Sequence, residues 1–192
     1  NSELFDAKSL FVGELALSGD LRHTKGILPM AIFAKKEKIG SVYLPQLNLA
    51  EASLVQGVNF YPLESLKSLI AHLLGQKIVK PTKGRGVRLA KRPASSTDMA
   101  YIKGQEQVKR ALEIAAAGGH NILMTGPPGS GKTFLARAFG SILPQMTQAE
   151  ILEVTKIYSV DGLLPAAKPL ILDRPFRSPH HTASGVALVG GG

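Results

Sequence analysis

Eight consecutive residues, Gly126-Pro127-Pro128-Gly129-Ser130-Gly131-Lys132-Thr133, have the types and spacing to do chemistry on a phosphate chain. They complete the pattern G-x-x-x-x-G-K-S/T of a phosphate-binding loop. Glycines at 126, 129 and 131 let the backbone curl until successive N–H groups converge on the α- and β-phosphates of a nucleotide. A helix opening at Lys132 would add the positive end of its dipole. Lys132 brings a point charge to the β- and γ-phosphates and is the candidate catalytic side chain, while the Thr133 hydroxyl is a ligand for Mg²⁺. The whole loop, from Gly126 to Thr133, is therefore expected to bind a nucleoside triphosphate, with ATP and Mg²⁺ as cofactors.

Such a loop works only between a strand and a helix. Upstream, Asn121-Ile122-Leu123-Met124-Thr125 is a short apolar run with the composition of a buried parallel strand. Downstream, Phe134, Leu135, Ala138 and Ile142 recur at helical spacing until Pro144. Before the strand, Val108, Ala111, Leu112 and Ala115 predict one apolar helix face ended by Gly118-Gly119, and after the loop's helix Thr147 and Glu150 form a T-x-x-E capping box opening a helix through about Tyr158. The first region, to about Gly75, alternates short strands and helices. Strands are expected at Phe11–Leu17, Val42–Leu44 and Val58–Tyr61, with a helical stripe of Ile27, Met30, Ala31 and Ala34. Asn48 with Glu51 is a candidate capping pair, and Leu66, Leu69, Ile70, Leu73 and Leu74 predict an amphipathic helix closed by Gly75.

Charge divides the chain as well. The net charge of the 192 residues is +9. Residues 1–75 carry seven Lys/Arg and seven Asp/Glu, 76–97 carry seven Lys/Arg and no acid, and 98–192 carry nine and seven. The middle cations, Lys77, Lys80, Lys83, Arg85, Arg88, Lys91 and Arg92, alternate with Pro and Gly, the composition of an exposed connector. Two readings stand: a surface that tracks a nucleic-acid backbone, or a solvated linker kept extended by its charge. No aromatic residue lies between Leu73 and Tyr101 to stack on bases. Mean hydropathy of +0.09 fits a globular chain. Absence of cysteine excludes disulfides and thiolate zinc sites and is compatible with a cytoplasmic location; no apolar run has the length of a membrane span. Asn1 in place of Met and the final Gly190-Gly191-Gly192 read as cuts through a longer protein.

Asp98 to Glu106 (D-M-A-Y-I-K-G-Q-E), the phosphate loop, and Arg174-Pro175-Phe176-Arg177-Ser178-Pro179-His180-His181 followed by Leu188 to Gly192 together resemble the magnesium-chelatase-like AAA+ ATPases of the YifB/ComM type. Phe11–Leu17 through Leu28–Ala31 is similar to the second half of that family's Lon-protease-like amino-terminal domain. The resemblance implies an α/β chain: residues 1–75 as part of the Lon-like domain, 76–97 as a basic linker, and 98–192 as the amino-terminal part of an αβα AAA+ domain. It further implies an ATP-driven ring motor, a homo-hexamer in the full-length protein, with DNA as partner and helicase or branch-migration activity. By the same resemblance Ile102 and Gly104 lie beside the adenine.

Some features depart from a working motor or compete with that reading. Leu170-Ile171-Leu172-Asp173 imitates a Walker B strand, but Arg174 stands where the water-activating Glu belongs, and Pro169 and Pro175 bracket the run. The family's Walker B, sensor and arginine-finger residues fall after residue 192, so this piece is expected to bind nucleotide and hydrolyse it poorly. Arg174, Arg177, His180 and His181 are candidates for polynucleotide contact; adjacent histidines without a carboxylate cluster make a poor metal site. His23, His72 and His120 read as ordinary surface or core histidines. Where the Lon-type motif carries its lysine this chain has Leu28, which argues against peptidase activity. The alternatives to a DNA motor are an ATPase driving metal insertion, and a Lon-like ATP-dependent protease or regulatory module.

Overall fold

The computed structural model describes residues 8–87, 97–165, 169–179 and 182–183. It is mixed α/β, with a parallel-rich sheet and six α-helices among the described residues. Two compact units are present: Asn1–Ala90 with Thr147–Leu172, and Lys91–Met146 with Asp173–Gly192. The boundaries expected from sequence run 1–75, 76–97 and 98–192, so the two divisions differ over 76–97 and 147–172.

The first unit is built on a sheet of order β1 (Ser9–Phe11), β4 (Ser41–Pro45), β5 (Asn59–Leu63) and β6 (Thr82–Lys83). β1, β4 and β5 run parallel, and β6 is antiparallel to β5. Parallel neighbours need crossovers, supplied by α1 (Ile27–Lys36) and α2 (Leu49–Ala52). Register sorts the side chains by face. Leu10, Val42 and Phe60 are aligned, and with Leu44 they pack into the core against Ile27, Leu28, Ala31 and Ala34 of α1. One residue on, Phe11, Tyr43 and Tyr61 are aligned on the opposite face, where their rings stack with centroids 4.7 and 4.6 Å apart. His72 of α3 (Leu66–Leu73) covers this stack. Its Nδ1 accepts the Val79 amide at 3.1 Å, and its Nε2 lies 3.5 Å from the Tyr43 hydroxyl.

Four expectations need correction here. The predicted Phe11–Leu17 strand is broken at Val12-Gly13; its second part, β2 (Glu14–Leu15), turns through Ser18-Gly19-Asp20 to pair with β3 (Leu21–Arg22). On α1, Leu28 is buried while Met30 is 39% exposed, because positions 27, 28, 31 and 34 share the inward face and 30 lies at its margin. Asn48 and Glu51 do not cap α2: the Asn48 side chain turns to Thr24 and that of Glu51 to the Leu28 amide in the first turn of α1. On α3, Leu66, Ile70 and Leu74 stay exposed, and the helix opens on a reciprocal Ser65–Ser68 box that the apolar spacing does not announce.

α6 (Gln148–Asp161) also belongs to the first unit. Thr147 and Glu150 form the expected capping box, and the helix runs three residues beyond Tyr158 to end at Gly162, φ 72°.

In the second unit a 3₁₀ turn, Met99–Tyr101, leads to α4 (Glu106–Gly118) and later α5 (Lys132–Ile142). Met99, Ile102, Leu112, Leu135 and Ala138 form its core, with Val108, Met124, Phe139 and Ile142 against it. α4 closes at Gly119, φ 65°, and α5 stops as Leu143 turns extended ahead of Pro144, both as the sequence indicates. Ala111 and Phe134 depart from their predicted stripes and are exposed. The expected buried strand at 121–125 is not formed. The segment has no ladder partner among the described residues, and Leu123 is 88% exposed. An apolar run becomes a strand only when another strand satisfies its backbone, and that is a non-local condition.

Candidate functional site

The phosphate loop takes its shape from three local features. Gly129 and Gly131 stand at φ 79° and 85°, in the left-handed region where a side chain is strained. The Ser130 amide donates to the Pro127 carbonyl at 3.3 Å, closing a turn. α5 then begins at Lys132 with Gly131 as its N-cap and no side-chain cap. Among the described residues no acceptor takes the amides of Gly131, Lys132, Thr133 or Phe134; the first amide of this turn to be satisfied is that of Leu135, by Gly131. Unsatisfied donors at a helix start are a ready-made anion cradle.

Lys132 arches back over this cradle. Its ammonium donates to the Gly126 carbonyl at 2.8 Å, the Pro127 carbonyl at 2.7 Å and the Ser130 hydroxyl at 3.1 Å. Three donors are thus spread over three loop acceptors. Two of them brace the crown of the loop. The third rests on a neutral hydroxyl, which an anionic phosphate oxygen can replace with a stronger charge-assisted bond.

An open cleft of about 550 Å³ adjoins the loop. Gly126, Pro127, Ser130 and Lys132 line its polar end, and Val108, Ala111, Leu112 and Met124 contribute an apolar wall. Pro128, Gly129 and Thr133 are exposed on the loop and first helical turn. Ile102 is buried in the core, and Gly104 stands at φ 71° with open space around it; neither lines the cleft. Gln105 does. It is one of two non-glycine residues with positive φ among the described residues (56°), and its carboxamide donates to the Ser130 carbonyl at 3.4 Å. The sequence motif does not single it out, although its position directly after Gly104 at a helix start is an available signal.

The residues fit a triphosphate: donors, a cation and a shaped cleft converge. For Mg²⁺ the Thr133 hydroxyl is the protein ligand offered, and no group of three His, Asp or Glu that could hold a metal is found among the described residues. Asp173 lies exposed in a bend and not in a strand, as its flanking prolines suggest. Arg174 donates from Nε to the Pro144 carbonyl at 3.0 Å, and Arg177 is exposed. His180 and His181 lie outside the described residues, as do Arg88, Lys91 and Arg92 of the connector. His23 and His120 are exposed, and His72 is buried. No helix among the described residues is long and apolar enough to cross a membrane.

Comparison with known proteins places these features in a family. A sequence model described as magnesium chelatase, subunit ChlI, matches residues 98–192, and a second, subunit ChlI of Mg-chelatase, matches 1–48. The uncharacterized protein Rv2897c of Mycobacterium tuberculosis is 44% identical over 184 residues, covering 96% of this chain and 36% of that protein. Competence protein ComM of Haemophilus influenzae is 41% identical over 200 residues, covering all of this chain and 38% of its own length. YifB of Escherichia coli is 40% identical over 181 residues, with 94% and 35% covered. The chain therefore spans little more than a third of these relatives.

Proposed function

The chain belongs to the magnesium-chelatase-like family that includes ComM and YifB, and from that membership we propose that it is the nucleotide-binding part of an AAA+ ATPase acting on DNA. The observation that carries this reading is the cradle: unsatisfied amides at the start of α5 beneath the braced ammonium of Lys132. The amides and Lys132 would hold and orient the phosphates and Thr133 would hold Mg²⁺, which when bound would supply charge neutralisation at the phosphates. The matches to 1–48 and 98–192, on either side of the basic connector, support a Lon-like first region and an AAA+ second region. A hexameric ring and a cytoplasmic location are part of the same proposal. DNA rests on the similarity to a competence protein and on the connector's cations.

The test is the ATPase rate of the full-length protein alone and with single-stranded, duplex and forked DNA. Stimulation by forks is the expected result. Indifference to every DNA would favour the metal-insertion reading, which the name of the matched subunit family keeps in view. Lys132→Ala is expected to weaken ATP binding at least about 100-fold, since it removes both the charge and the brace; unchanged affinity in calorimetry would count against the site.

A further inference from the structure

One segment has a path unlike the rest. After α5 the chain leaves the second unit at Met146, folds Thr147–Leu172 into the first unit, and re-enters the second at Asp173. Its point of departure and point of return are clamped together inside the second unit by the bond from Arg174 to the Pro144 carbonyl. α5, whose first residue is Lys132, ends at Ile142, two residues before this clamp.

The segment is held in the first unit by apolar packing and by hydrogen bonds: Leu152 and Leu170 pack against that unit's core. The inward face of α6 is Ile151, Thr155 and Ser159, at 2%, 0% and 2% exposure. Ile157 and Val160, its opposite face, are 58% and 59% exposed. Beside Ile151 and Leu152 the inward face of α6 buries two hydroxyls, each of which needs a partner. Its hydroxyls are matched one by one. Ser159 donates a short hydrogen bond to Glu51 Oε1, the atom that also accepts the Leu28 amide at 2.8 Å near the start of α1. The Ser159 carbonyl accepts the Gly26 amide at 3.0 Å, while Thr155 Oγ1 accepts the Ile171 amide at 3.2 Å within the segment itself. Glu51, 6% exposed, keeps the Leu28 amide and Asn48 as partners if Ser159 departs, so undocking strands no buried charge.

We propose that 147–172 is a strap through which the phosphate loop controls the first unit, latched by the Ser159–Glu51 hydrogen bond. The proposal rests on the reading of the loop as a nucleotide site. A phosphate that takes the place of the Ser130 hydroxyl on Lys132 moves the first turn of α5, and the strain travels through Pro144 to α6 and its Ser159–Glu51 hydrogen bond.

The experiment is hydrogen exchange on the full-length protein with and without a saturating non-hydrolysable ATP analogue, with binding measured separately by calorimetry. Amides of α6 and of Gly26 and Leu28 are expected to exchange about tenfold faster with the analogue bound. In Ser159→Ala they should already exchange fast without it and respond little further; circular dichroism reports whether that variant folds, and the wild-type comparison decides the question if it does not. Binding by calorimetry with unchanged exchange at these amides would overturn the strap and leave the nucleotide site standing. No binding at all would overturn both.

Discussion

At the scale of single residues, the loop's backbone angles and its lysine decide what the site can hold. Gly131 is the sharper test of the two left-handed glycines, because it is both a turn residue and the N-cap of α5. Gly131→Ala is expected to cost about 1–2 kcal/mol of backbone strain and to weaken ATP binding about tenfold by calorimetry, because the amide cradle no longer closes. A second residue-scale effect belongs to the first unit. Burial, and after it the neighbouring Tyr61, raises the Tyr43 phenol above its ordinary value of about 10. The folded chain therefore holds that proton more tightly than the unfolded one. The resulting stabilisation is complete below pH about 10 and is lost as pH climbs through the raised folded value. Urea midpoints should fall in that alkaline range, and fall less steeply in Tyr43→Phe.

At the scale of elements, helix ends are legible in the sequence and helix faces less so. The Thr147–Glu150 box holds by two reciprocal bonds within one turn, so four residues of sequence suffice to specify it. Thr147→Ala should cost about 1 kcal/mol as a lowered urea midpoint, and raise exchange in the first turn of α6. Faces depend on what arrives opposite. Nothing in the spacing of α6 announces that Thr155 and Ser159 are buried while Ile157 and Val160 are not. Asn48 and Glu51 have capping spacing, yet a longer-range demand, the unpaired amides around Thr24 and Leu28, claims both. The run at 121–125 has strand composition and lacks strand neighbours among the described residues, so composition alone does not make it a strand.

At the scale of the molecule, the proposed function joins a candidate phosphate-binding loop to a connector that carries cations. If the connector meets DNA, replacing Lys77, Lys80, Lys83 and Arg85 by Gln in the full-length protein should flatten the plot of log affinity against log salt by about 3–4, roughly 0.9 for each phosphate no longer neutralised. An unchanged slope in fluorescence anisotropy titrations would assign those side chains to solvent. Either result leaves the phosphate loop's chemistry intact, because among the described residues the cradle draws on no connector side chain.

The sequence by itself determined the phosphate loop, the Thr147 cap, and the glycine stop at Gly119. Each is closed by bonds between residues within about one helical turn, so the chain carries both partners side by side. Tertiary structure alone decided that Glu51 answers Leu28 and Ser159, that Gln105 reaches the loop, and which side of α6 is buried. Those choices join positions 23, 25 and 108 residues apart, and only the folded chain brings such partners within reach of a hydrogen bond.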